Sequence, residues 1–447
     1  MATFYVATAG NGGSDSHNGS SGSPWASLYH ACQNTTNGDT ITIGAGTFTE
    51  TSQCLLPVGV SIIGAGNTSI IKSTYTGSYA SGLLNISSTA GTPVNGNQII
   101  CYVLFDGNSL SNACAISSNY RYNVTIHDCT IQNFNSRGIS FDNGGDFLNA
   151  PTYFSNNNVV HDCTITNCGY NDAIDEYACV WFYGQTNLQI YNNTFTNTAQ
   201  SSNSDILKGA WHSDTKIYGN TFTKPDGDNG GQWNMYTEIF FTTGGMEVYG
   251  NTFNGNASLD IVDVRLGADS YGCKIYNNQF SIPSGQQAYG SKGVQTIDFE
   301  EWGSVVGVYV FDNHFKNVAC GIQLDPVGQS NPLNVGGQVV FQYIYIYYNL
   351  FENIGNTTND YTSAVDIKPT GTDSYLFLDS IYIDNNTMIS SVSYPGLAGI
   401  MNETCGSQTN FYFRNNIIQG FAAYPIYYSL NTGTPSGSTH YIQKNLY

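Results

Sequence analysis

The sequence predicts an all-β chain: a right-handed parallel β-helix, a solenoid of stacked coils, closed at its start by a short N-terminal cap containing one helix. Three observations carry this. Only 10% of the 447 residues are charged, while Gly (49), Tyr (33), Asn, Ser and Thr abound, a composition that suits strands and turns and not helical bundles. One short phrase recurs from about residue 100 to the end. The spacing of that phrase matches one coil per repeat.

The phrase is a β-branched or aromatic pair, then Asn-Asn or Gly-Asn, then a polar residue and an aromatic. It reads Ile190-Tyr-Asn-Asn-Thr-Phe195, Ile217-Tyr-Gly-Asn-Thr-Phe222, Val248-Tyr-Gly-Asn-Thr-Phe253, Ile275-Tyr-Asn-Asn-Gln-Phe280 and Val310-Phe-Asp-Asn-His-Phe315, with weaker copies later. Its second Asn falls at 193, 220, 251, 278, 313, 349, 386, 416 and 445, at intervals of 27 to 37 residues. A coil of that length holds three short strands and three turns. Stacking coils every ~4.8 Å pairs each strand with its counterparts above and below. The Asn side chains are then expected to bond along the stack and the Phe residues to pack inside. The variation in interval belongs to loops, which repeat proteins gather on a functional face.

Residues 1–55 differ and are expected to form the cap and first strands, with residues 56–447 as one continuous run of coils. Phe4-Tyr-Val6 and Gly38-Asp-Thr-Ile-Thr-Ile43 read as strands, and Pro24 to Ala31 as a short amphipathic helix with Pro near its start. The last repeat ends at Asn445-Leu-Tyr447 with no cap, so a further C-terminal segment or a homo-oligomer contact is expected to cover that end. Of the eleven cysteines none forms a Cys-x2-Cys pair, which argues against a zinc site. Cys129 and Cys163 share one place in the strings HDCTIQN and HDCTITN and should stack as small buried residues; Cys32 and Cys54 could pair in the cap.

The run from Tyr5 through Gly38-Asp39-Thr40-Ile41 to Gly46-Thr-Phe-Thr-Glu50 resembles the start of pectate-lyase-like β-helix proteins, a superfamily of carbohydrate-active chains. Through the Asn repeat the resemblance extends over nearly the whole sequence. It implies the fold and a polysaccharide or oligosaccharide partner held in a side groove. It does not choose a reaction, because lyases, glycosidases, epimerases, tailspikes and adhesins share the scaffold.

The formal charge of −19 repels phosphate backbones, so no nucleic acid partner is expected. No apolar run reaches 18 residues, so no membrane insertion is expected either. The start lacks a signal sequence, which fits a secreted protein whose signal has been removed, or a virion-associated one. The residues single out no cofactor, and the acidity is compatible with Ca²⁺ capture.

Charges are scarce enough for their clustering to be informative. Four coils carry Val262-Asp-Val-Arg265, Ile297-Asp-Phe-Glu300, Ile322-Gln-Leu-Asp325 and Val365-Asp-Ile-Lys368 in the strand before the Asn phrase. Strand alternation predicts two solvent-facing columns: Asp263, Asp298, Gln323 and Asp366, and beside them Arg265, Glu300, Asp325 and Lys368. Glu238 should precede Arg265, with Lys208 one position out of register. Column neighbours lie ~5 Å apart, so Glu300 and Asp325 have the separation of retaining glycosidase carboxylates, and the diagonal Asp298 to Asp325 that of inverting ones.

The first reading is therefore a glycoside hydrolase with Glu300, Asp325 and Asp298 at the chemistry. Glu301 and Trp302 are expected at the mouth, and Trp181, Trp211, Trp233 and Tyr236 in the same region of earlier coils. The second is a uronate lyase using Arg265 and Lys208. The stretch Arg265-Leu-Gly267 to Asn277-Asn-Gln-Phe280 resembles the arginine coil of alginate- and chondroitin-type lyases, but Lys208 lies two coils from it where that pattern has one. A third is a non-catalytic tailspike or adhesin-type module. The structural alternative for the charges themselves is an exposed ion-pair ladder that adds little stability. His127, His212 and His314 read as turn residues, solvated or bonded to backbone.

Overall fold

A computed structural model describes residues 1–77, 81–88, 92–110, 114–144, 150–169, 178–197, 205–224, 233–239, 245–255, 260–266, 270–281, 295–300, 305–325, 339–355, 362–367, 376–391, 398–404, 407–430 and 440–447. Within these, 224, 233–239, 260–266, 270–271, 295, 298–300, 325, 339, 376, 403–404, 407 and 428–430 are described by backbone alone. The chain divides into two compact units, Met1–Lys216 and Ile217–Tyr447. Among the described residues no helix is long and apolar enough to cross a membrane.

Each unit is built from three all-parallel sheets that the chain visits in rotation, as the sequence predicts for a right-handed parallel β-helix. In Ile217–Tyr447 the first sheet includes Glu247–Tyr249, Lys274–Tyr276 and Val305–Phe311. The second includes Thr252–Gly255, Gln279–Ser281 and His314–Lys316. The third includes Asp260–Leu266, Gln295–Glu300 and Cys320–Asp325. The turn between first and second sheets takes two residues in every coil of this unit. The connections of variable length therefore lie on either side of the third sheet.

That two-residue turn explains the repeated phrase. Its first position is left-handed, with φ of 53° at Asn277, 55° at Asp312, 58° at Asn385 and 62° at Gly250, which favours the Asn, Asp and Gly found there in every coil of this unit except at Tyr348 and Lys444. Its second position is the buried ladder Asn. Each such Asn takes the next one's Oδ1 with both its backbone N–H and its Nδ2, and Nδ2 also reaches a carbonyl of the preceding coil. For Asn278 the distances are 3.0 Å and 3.0 Å to Asn313 Oδ1 and 2.9 Å to Val248 O. The pattern runs from Asn220 to Asn445. One turn further on, Phe222, Phe253, Phe280, Phe315 and Phe351 stack face to face at 4.6 to 5.0 Å and are fully buried. Each such ring contributes about 2–3 kcal/mol of apolar burial.

In Met1–Lys216 the same turn holds Asn193, and in the two coils before it holds cysteine. Asn193 Nδ2 donates to Val160 O at 3.0 Å; Cys163 Sγ donates to Ile126 O at 3.7 Å and Cys129 Sγ to Ile100 O at 3.6 Å. The two thiols are thus weak members of the Asn ladder, buried as expected. Asn at 163 would give a stronger donor to Ile126 O, and an Oδ1 for the Cys129 N–H as Asn193 Oδ1 serves the Cys163 N–H at 2.9 Å. Cys163→Asn is expected to stabilise the protein by about 1 kcal/mol, read as a raised urea midpoint; a lowered midpoint would show that the ladder does not tolerate the amide there.

The cap is held by buried acids that bond backbone. Glu50 accepts from the N–H groups of Leu28 (2.7 Å) and Tyr29 (3.4 Å), and Asp39 from those of Ala2 and Thr36. Burial pushes the Glu50 carboxyl up, against the pull of those bonds, whereas the backbone bonds dominate at Asp39 and lower it. The cap helix is Leu28–Gln33, later than the expected 24–31. Ser27, not Pro24, supplies its start, accepting from His30 N–H at 3.1 Å, and the Glu50 carboxylate receives the first free N–H groups. Cys32 and Cys54 are buried free thiols, so no disulfide closes the cap.

Candidate functional site

The third sheet of Ile217–Tyr447 carries the predicted ladder in the predicted register. Tyr236 pairs with Asp263, Asp263 with Asp298, Asp298 with Gln323 and Gln323 with Asp366, forming one column. In the neighbouring column Glu238 pairs with Arg265, and Glu300 with Asp325. The alignment follows from what lies between: Ile297, Ile322, Leu324, Val365 and Ile367 are all fully buried. A slip of one residue would turn this apolar set out of the core. Glu300 and Asp325 therefore lie one strand spacing, ~4.8 Å, apart along the sheet.

The expectation that the whole column faces solvent does not hold. Gln323 is 6% exposed and Asp366 0%. Every residue of Ser363–Ile367 is buried, so both faces of that strand are packed, and a side chain turned away from the core is not thereby in water. The side chains of Tyr236, Glu238, Asp263, Arg265, Asp298, Glu300 and Asp325 lie outside the described residues, as do Glu301, Trp302 and Lys368 altogether.

Lys208 belongs to the other unit, on Asp205–Ser213, where it pairs with Trp181. It is 1% exposed with Nζ 3.5 Å from Asp205 Oδ2, a buried ion pair and not an open groove cation. Around it the third sheet of Met1–Lys216 holds a cluster that the sequence reading missed. The Arg137 guanidinium lies 4.0 Å over the Trp181 ring and donates to Ser140 Oγ at 3.0 Å and Asp142 Oδ2 at 3.4 Å; Trp181 in turn stacks on Tyr183 at 4.8 Å. The available signal was the string Asp205-Ile-Leu-Lys208, two charges in an otherwise apolar strand of a chain that is 10% charged. Trp181 and Trp211 are buried, as rim or core packing.

A surface cavity of about 260 Å³ in Ile217–Tyr447, lined by Asp384, Asn385, Arg414, Asn415, Gln443 and Lys444, sits at the turn after the first sheet and not on the third. Its guanidinium is already neutralised by Asp384 and lies over the Tyr412 ring at 4.9 Å.

The histidines depart from the solvated turn residues expected. His314 bridges to Glu352 at 3.1 Å, and His127 bonds Asp128 at 2.7 Å. His212 is fully buried, edge-on to Phe182 at 5.0 Å, and among the described residues neither ring nitrogen has a partner. Burial pushes its pKa down to about 3. Because the folded pKa lies below the unfolded one near 6.5, its contribution is intact above pH 6.5 and is lost as pH falls towards 3. Relative to His212→Phe, the wild type is expected to lose about 4 kcal/mol between those limits. Parallel denaturation curves for the two proteins at pH 7, 5 and 3.5 check this; a constant gap would mean that the imidazole does not titrate with unfolding.

No family model and no curated protein matches the sequence. Solved structures do. The chain is similar to a mutant tailspike protein of Escherichia coli bacteriophage HK620, solved in complex with a hexasaccharide, at 15% identity and a TM-score of 0.55; the match covers 95% of this chain and 76% of that one. It is also similar to PfbA, a surface adhesin of Streptococcus pneumoniae (12% identity, TM-score 0.47, covering 93% and 86%), and to an alginate lyase from Paenibacillus sp. (15%, 0.46, covering 70% and 97%). The tailspike likeness and the three parallel sheets bear out the parallel β-helix as the fold.

Proposed function

We propose that the protein binds an extended polysaccharide along the third sheet of Ile217–Tyr447 and hydrolyses it, with Glu300 and Asp325 as acid and nucleophile. The observation that carries this reading is that the two carboxylate-bearing residues are direct register partners on neighbouring strands. Two carboxyls ~5–5.5 Å apart suit a retaining mechanism, one protonating the departing glycosidic oxygen and the other attacking the anomeric carbon. Asp298, two residues along from Glu300, assists by keeping one of the pair protonated. Tyr236, Glu238, Asp263 and Arg265 extend the surface, and the buried Gln323 and Asp366 support it from within. The tailspike likeness supports a glycan partner and an extracellular or virion-associated setting.

A lyase in which Lys208 removes a proton is less favoured, because its ammonium is buried beside Asp205. A panel of plant, algal and bacterial glycans tests the proposal through two signals, new reducing ends and the ultraviolet absorbance of an unsaturated uronate. Reducing ends alone support hydrolysis. Both signals together indicate a lyase, and neither signal with measurable glycan binding indicates a non-catalytic module; each of these would replace the hydrolase reading.

A further inference from the structure

The charges of Ile217–Tyr447 are sorted by sheet. Four consecutive strands of the third sheet, Trp233–Ile239, Asp260–Leu266, Gln295–Glu300 and Cys320–Asp325, carry Glu238, Asp260, Asp263, Asp298, Glu300 and Asp325 against Arg265, six acids to one base or a formal −5. In the same coils the described strands of the first and second sheets, with the turn between them, carry Glu247 and Asp312 against Lys224, Lys274 and Lys316, a formal +1. By sequence, the segments joining the third sheet to its neighbours over residues 225–304 add Asp226, Asp228, Asp269 and Glu301 against Lys292. Acids held only for solubility would be spread over all three sheets. Here they gather on the sheet that pairs Glu300 with Asp325, in register over three strand spacings, roughly 14 Å.

We propose that the polymer bound along this sheet is a neutral glycan, and that polymers carrying anionic groups are rejected. The inference rests on the proposed site at Glu300 and Asp325 and names what enters it. Like charges set against each other across a binding surface cost affinity and slow the encounter. One guanidinium, that of Arg265, cannot compensate an anion on every sugar unit across four acidic strands.

A cationic amino-sugar polymer would be attracted to the same strands, but the chemistry favours an uncharged ring. Glycoside cleavage passes through an oxocarbenium-like transition state, so a neutral substrate becomes positive only as it reacts. Acidic surroundings then stabilise the transition state more than the bound substrate, which raises the rate and not merely the affinity. A substrate that already carries ammonium groups would spend that attraction on the ground state.

Matched polymers test this. Each neutral glycan of the panel is compared with its C6-oxidised form, which keeps the backbone and adds carboxylates, and chitin oligosaccharides are compared with their deacetylated, cationic counterparts. Reducing-end release and retention in affinity electrophoresis are measured for every pair at about 20 mM and about 500 mM NaCl, between which the Debye length falls from about 20 Å to about 4 Å. A neutral polymer is expected to be cut and retained, its oxidised form about tenfold less at low salt, with the gap narrowing at high salt. Glu238→Gln/Asp260→Asn, with its thermal midpoint retained, should narrow the gap at low salt as well. A preference for an oxidised or an amino polymer overturns the neutral class, while new reducing ends on that polymer leave hydrolysis standing. If nothing is cut, hydrolysis fails and retention alone decides the class: neutral polymers retained above their charged partners uphold it, and any other pattern, including no retention, overturns it.

Discussion

Glu300→Gln and Asp325→Asn should each lower glycan turnover by roughly 10²- to 10⁴-fold while leaving the fold intact. Each replacement keeps the shape of its side chain and removes what the step needs, the proton of a general acid or the charge of a nucleophile. The register that pairs the two residues is set by the backbone and by Ile297, Ile322 and Leu324 beneath, none of which changes. If the pair were only part of an exposed ion ladder, either substitution would cost no more than about 1 kcal/mol of stability and nothing in rate. Steady-state rates on the glycan chosen by the panel, read beside thermal midpoints, decide between these. Near-native turnover in both variants would remove Glu300 and Asp325 from the chemistry.

The largest stability loss is expected at the Asn ladder. Asn313 Oδ1 accepts from Asn278 N–H and Nδ2, both at 3.0 Å, and its own Nδ2 donates to Ile275 O, Phe311 O and Asn349 Oδ1 at 2.9, 3.1 and 3.0 Å. Asn313 is 2% exposed, so water cannot replace what Asn313→Ala removes. Orphaning the Asn278 N–H and the Ile275 carbonyl, at about 1–3 kcal/mol each, predicts a loss of about 4 kcal/mol, in the range reached only by broken buried networks. The neighbouring Asn277, in the left-handed turn position where other coils use Gly219 and Gly250, provides the control. Asn277→Gly should cost only a few tenths of a kcal/mol. Urea unfolding of the two variants compares them directly; equal losses would mean that the amide column does not hold the coils in register.

The sequence by itself determined the repeat and nearly everything that the repeat implies. A phrase returning every 27 to 37 residues states both the strand and its partner, because in a parallel stack each coil pairs with its own copy. That is why the pairing of Asp263 with Asp298, Glu238 with Arg265 and Glu300 with Asp325 was legible from residue counting alone. The cysteines at 129 and 163 were legible as stacked residues for the same reason, although not as ladder donors, since nothing in their spelling says that a thiol can take an amide's place.

Only the tertiary structure decided which of these positions meet water. Alternation tells a residue which face it is on, but whether that face is covered depends on segments that do not repeat. So Gln323 and Asp366 are buried where solvent was expected, and Lys208 is enclosed with Asp205 beside the cluster of Arg137 and Trp181. His212, spelled like any turn histidine, lies against Phe182 with no hydrogen-bond partner among the described residues. The pairing of His127 with Asp128 and of His161 with Asp162 likewise needed the left-handed backbone at the turn, which brings each carboxylate back to its ring. Register is a local, repeated property and can be counted along the chain; burial and side-chain pairing depend on contacts between segments far apart in sequence, and exist only once the coils have closed.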